Sequence, residues 1–142
     1  MPSSLSALQS WWLTTSEAQA LVADSRLWHK EAPETTALPY ATYFRVAEPV
    51  ETRTTGYATV RAQLQINLHA STATEAESLA ESLRDLLTKT PAQPAGAPLL
   101  IGSNPAWHVL DDDISLDEGE GLGPDGQDCW VGYFTLEVLY TR

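Results

Sequence analysis

Three consecutive aspartates, Asp111 to Asp113, followed by Asp117, Glu118, Glu120, Asp125 and Asp128, form the densest set of hard oxygen donors in the chain. Oxygen donors of this kind are what calcium or magnesium takes. The spacing argues for something blander. DGQD at 125–128 lacks the alternating ligand positions and the closing glutamate of an EF-hand loop, so the segment reads as a solvated acidic turn. His29, His69 and His108 lie far apart, and none stands at a metal-ligand spacing or beside a nucleophile. Each reads as a surface or strand histidine. Gly119, Gly121 and Gly123 alternate as phosphate-cradling glycines sometimes do, but they sit among acids that would repel a phosphate. Cys129 has no basic neighbour in sequence to lower its pKa, which favours inert burial. No catalytic set, cofactor site or metal site emerges, and the chain is expected not to be an enzyme. A metal-binding enzyme built on Asp111 to Asp113 is the weakest of the readings kept open.

What remains is suited to contact. Arg45, Arg53 and Arg61 are spread over one β-prone stretch, where they either meet acidic groups of an adjoining subunit or are simply solvated. Trp11, Trp12 and Trp28 read as core or interface anchors, each with one N–H to satisfy.

The composition sets the frame. A chain of 142 residues, 43% apolar and 19% charged, suits one folded domain spanning 1–142. Its formal charge of −11 disfavours gripping nucleic acid through a basic face. One cysteine excludes an internal disulfide framework and a cysteine zinc cluster. The N-terminal residues do not read as a signal peptide, and no run of eighteen apolar residues suggests a membrane partner.

The elements that position these residues centre on 57–89. In YATVRAQLQINLHA, Ala58, Val60, Ala62, Leu64, Ile66 and Leu68 alternate with polar residues, which predicts a long strand with one buried face. Ala76, Leu79, Ala80, Leu83, Leu86 and Leu87 then recur at spacings of three and four, predicting a helix from about residue 75 to about 89. Thr74 with Glu77 is the expected capping box, and Pro91 stops the helix. Upstream, a short helical turn is expected near 5–12 and a firmer helix over 16–30, capped by Ser16 and closed by Arg26, His29 and Lys30. Residues 31–38 form a polar connection. The segment around 40–46 is a strand with Tyr40, Thr42, Phe44 and Val46 on one face and Tyr43 and Arg45 on the other. Pro49 ends it or puts it at an edge, and 51–56 is a loop closing a hairpin onto the long strand.

Residues 91–106, rich in Pro and Gly, form a connector, with 99–101 as its most regular part. A strand with a charged, bulged middle follows over 107–116, then an acidic turn over 118–128, then a long strand over 129–141. Val131, Tyr133 and Leu139 make its second face partly apolar, which calls for cover by another element or another subunit. The order helix, strand, strand, helix, strand, strand predicts an α+β fold, a four-stranded mainly antiparallel sheet with an N-terminal helix and a central helix packed on one face.

The run LPYATYFRVAEPVETRTTGYATVRAQLQINLHASTATEAESLAESLRDLL, about residues 38–90, resembles the tail completion, or tail terminator, and related neck proteins of long-tailed bacteriophages. The proline-rich segment 91–105 and the acidic segment 111–128 depart from the commoner pattern. The resemblance implies a structural subunit of a homo-oligomeric ring, typically a hexamer, that caps the tail tube protein and joins it to the head connector or stopper protein. DNA passes through such a ring without specific binding. The location implied is the virion tail or neck, reached through the host cytoplasm during assembly. A head-to-tail stopper or connector ring is the alternative of the same class. On this reading Tyr43, Tyr133 and Leu139 are expected to pack between subunits. Loop 50–56, with Arg53, and the acidic loop with Asp117, Glu118 and Glu120 are expected to meet neighbouring rings, and Arg45 to contact an adjoining subunit.

Overall fold

The computed structural model describes residues 4–33, 36–47, 50–54, 57–88, 100–101, 104–105, 108–111, 114–119 and 127–141. Its class is α+β, as the periodicities predict. The sheet is wider than expected, however, with five strand positions where four were read. Helices α1 (Ser4–Thr14) and α2 (Ser16–Leu21) open the chain, followed by a 3-10 turn at Asp24–Arg26 and strand β1 (Leu27–His29). Strands β2 (Tyr40–Ala47), β3 (Val50–Thr54) and β4 (Tyr57–Ala70) lead into helix α3 (Ala73–Thr88). The short strands β5 (Leu100–Ile101) and β6 (Asn104–Pro105) pair only with each other among the described residues. Strands β7 (His108–Asp111), β8 (Ser115–Gly119) and β9 (Cys129–Thr141) complete the main sheet.

Across that sheet the order is β1, then β2 and β3 end to end, β4, β9, and last β8 and β7 end to end. Among the described residues only β1 runs parallel to its neighbour. The rest alternate in direction.

The alternation of β4 does what its sequence dictates. Ala62, Leu64, Ile66 and Leu68 are fully buried, flanked by Ala41 and Tyr43 of β2 and by Phe134 and Leu136 of β9. Helix α3 lays Ala76, Ala80, Leu83 and Leu87 on that face. Each fully buried large aliphatic side chain stabilises by about 1.5–3 kcal/mol, so this layer dominates the fold. Small residues set the separation between helix and sheet. A Cβ on Gly132 would stand 2.6 Å from the carbonyl oxygen of Ala76 and 3.3 Å from Cβ of Ala80. Only a glycine lets backbone approach backbone this closely.

Four local readings are corrected. The helix expected over 16–30 stops at Leu21, because Asp24 and Ser25 favour a turn and leave its stripe without apolar residues there. Val22 turns extended and buries itself, its carbonyl accepts a 2.9 Å hydrogen bond from Nε1 of the buried Trp12, and 27–29 becomes an edge strand. Lys30 ends that strand at φ 69 while its N–H donates to the carbonyl of Tyr43 at 2.9 Å. The cap of α3 is Thr72, not Thr74: the Glu75 N–H donates to Thr72 Oγ1 at 3.2 Å, and the same threonine-x-x-glutamate spacing is satisfied two residues earlier. The expected loop 51–56 is mostly strand β3, with 55 and 56 outside the described residues. The strand expected over 107–116 is divided into β7 and β8, with 112 and 113 outside the described residues.

Candidate functional site

Among the described residues the helices cover one face of the sheet, leaving its other face and its two edges. On the open face the register aligns Tyr40 with His69 and Val131, Thr42 with Asn67 and Tyr133, and Phe44 with Gln65 and Thr135. One end of this face is closed. Tyr40, Thr42, His69, Cys129 and Val131 are all buried, although the register puts them on the side away from α3. The Tyr40 ring stacks on the His69 imidazole, with centroids 4.3 Å apart and planes within 14°.

A hydrogen-bonded chain runs through this end. Gln65 Nε2 donates to Asn67 Oδ1 at 2.9 Å, and Asn67 Nδ2 donates to Thr42 Oγ1 at 3.2 Å. The Thr42 hydroxyl also lies 3.4 Å from His69 Nε2, within hydrogen-bond reach. The other ring nitrogen, Nδ1, pairs with Cys129 Sγ at 3.9 Å, the tautomer setting which partner donates at each end. Burial lowers the His69 pKa to about 4 and raises that of Tyr40 to about 12; burial and the nearby Asp128 charge raise that of Cys129. All three are therefore neutral near pH 7. The chain is a satisfied structural relay and has no activated nucleophile, since the thiol is buried and held protonated. Sequence reasoning missed it because its partners are 27 and 60 residues apart. The available signal was the run of polar residues Gln65, Asn67 and His69 facing Thr42, which only the register reveals.

The expected contact residues separate. Tyr43 does not share a face with Tyr133: it lies on the helix side, 5% exposed, in the core and against the His29 ring. Its aligned partner is Ile66, a core residue, which is why it is buried by its own chain. Tyr133 is half-buried on the open face, opposite Asn67 and Ser115. Arg45 is exposed near the end of β2, and Arg53 sits in β3 opposite Ala58. Asp117 and Glu118 are exposed on the edge strand β8, opposite Val131 and Trp130. Leu139 lies in β9 between Arg61 and His108, while Glu120 lies outside the described residues. Among the described residues, no group of three or more His, Cys, Asp or Glu could hold a metal ion.

A family model described as "Tail completion protein gp17" matches residues 6–113. The chain belongs to that family. The match spans both N-terminal helices, the β2–β4 hairpin, α3 and β7, and stops before β8 and β9. Membership makes the chain a phage-type tail structural protein. Among solved structures, 14 chains match the fold. One of them, from the "Virion of native gene transfer agent (GTA) particle", aligns at a TM-score of 0.63 with 15% identity, covering 98% of this chain and 96% of that one. At that identity the likeness is one of fold. No curated protein matches by sequence.

Proposed function

We propose that this chain is one subunit of a ring, hexameric in its expected form, that closes the end of a phage-type tail tube and joins it to the head connector. Membership of the tail completion family is the observation that carries this reading. Two physical features support it. A sheet closed by its own helices on one side leaves a face bearing Tyr133 and half-open polar residues for a neighbour. A charge of −11 lets DNA pass through a ring without being held by its phosphates. The partners are further copies of the chain, the tail tube protein and a connector or stopper protein, and the complex resides in the virion tail or neck after assembly in the host cytoplasm.

The test is the mass of the purified chain by light scattering across concentration, alone and with tail tubes. A ring, or a monomer that becomes one on tube ends, is expected. Tyr133→Asp is expected to give a folded chain that no longer assembles. A wild-type chain that stays monomeric and ignores tubes refutes the reading, and an unchanged Tyr133→Asp oligomer removes the open face from it.

A further inference from the structure

Strands β1 and β8, on opposite edges of the sheet, lie level with each other. The register carries one row straight across the subunit: Trp28 opposite Thr42, Thr42 opposite Asn67, Asn67 opposite Tyr133, Tyr133 opposite Ser115. The row beside it runs Leu27, Ala41, Leu68, Gly132, Leu116. Strand β1 is parallel to β2, and the three steps from β2 through β4 and β9 to β8 are each antiparallel, so β8 runs opposite to β1. The β8 edge of one copy, set beside the β1 edge of the next, extends both rows as an antiparallel ladder. Among the described residues neither strand has a ladder partner on its outer side.

The side chains at the two edges suit this placement. Leu27 and Leu116 fall opposite each other on the helix side, and both are half-buried in the single chain. Joining the edges takes both from water and prolongs the apolar layer across the seam. On the open side the large Trp28, 37% exposed, meets the small, exposed Ser115. One step along, Arg26, the residue before β1, comes level with the exposed Asp117. Opposite charges facing across an antiparallel pair stabilise it, and like charges oppose it. Each edge is therefore poorly suited to itself. Pairing β1 with β1 about Trp28 sets Arg26 opposite Lys30, and pairing β8 with β8 about Asp117 crowds the Asp117 and Glu118 carboxylates of both copies.

We propose that neighbouring copies join edge to edge, β8 of one against β1 of the next, with Leu116 opposite Leu27, Ser115 opposite Trp28, and Asp117 meeting Arg26. This rests on the ring reading above and names the surface that closes the ring. The contact is heterologous, one edge against a different edge, and that is the class of contact that closes rings when its rotation closes.

Cross-linking and charge reversal test it. In W28C/S115C the two cysteines of one chain stand four strand spacings apart, roughly 19 Å, too far for a disulfide within the chain. Across the seam they are directly opposite. Oxidation of this variant on tail tubes is expected to give a ladder of covalent multimers that neither single cysteine variant gives. Arg26→Asp and Asp117→Arg are each expected to lower assembly of the full chain on tubes at least tenfold, and the double variant to restore it, with circular dichroism and thermal midpoints confirming that each is folded. If the wild type assembles while the paired cysteines fail to cross-link or the double variant stays deficient, the seam is refuted and the ring stands. If the wild type never assembles, the ring reading falls and the seam with it.

Discussion

Protonation of His69 should cost the folded chain stability in a defined pH window. Burial lowers its pKa from 6.5 to about 4, so the folded state resists a proton that the unfolded chain accepts readily. The stabilisation is complete above pH 6.5. As pH falls below that value the unfolded state binds the proton first, and stability drains until the folded imidazole also titrates near pH 4. At about 1.4 kcal/mol per unit, the span corresponds to roughly 3 kcal/mol. The groups facing the ring do not confuse the window: Tyr40 and Cys129 both have raised pKa values and stay neutral throughout. The chain's carboxylates do titrate near its lower end, so the assay compares wild type with His69→Gln. Urea denaturation at intervals from pH 7.5 to pH 4 should show wild type losing about 3 kcal/mol more than the variant. Parallel profiles would refute the argument, because they would mean that the folded imidazole accepts its proton as readily as a solvated one.

Two further outcomes follow from packing and capping. Gly132→Ala should lower stability by about 1–3 kcal/mol, because the new methyl meets the Ala76 carbonyl, and adding Ala80→Gly should not rescue it since the limiting contact is backbone; thermal midpoints decide both points. Thr72→Ala should cost about 1 kcal/mol and Thr74→Ala markedly less, a ranking that denaturant melts can reverse if the cap is misassigned.

The parts of the fold legible in the sequence are those where one period runs long enough to outvote its neighbours. Ala62 to Leu68 and Ala76 to Leu87 are such runs, and both elements lie within a few residues of their expected bounds. Residues 16–30 are not: after Leu21 the stripe passes through Asp24, Ser25 and Arg26, and three residues of parallel pairing with β2 settle what periodicity leaves open. Thr72 and Thr74 carry nearly the same local signal, so only the bond from Glu75 separates them. Tyr43 was separated correctly from Tyr40 and Thr42, but which of those faces turns inward depends on pairing with Ile66. Asp117 and Glu118 stand out by type, but the row that brings β8 level with β1 exists only once four registers are known.

The polar chain from Gln65 to Cys129 has a consequence for how the strands find their alignment. Alternation protects a sheet against slipping by one residue, which would turn every apolar side chain outward. It offers little against slipping by two, because Ala62, Leu64, Ile66 and Leu68 would each be replaced by another small or aliphatic residue on the same side. Such a misaligned sheet would still look well packed. It would, however, separate Asn67 from Thr42, and His69 from both Thr42 and Cys129, leaving buried polar atoms without partners at about 1–3 kcal/mol apiece. The far side of the sheet therefore serves as a proofreading device for the near side, rejecting a misalignment that the apolar core by itself would tolerate.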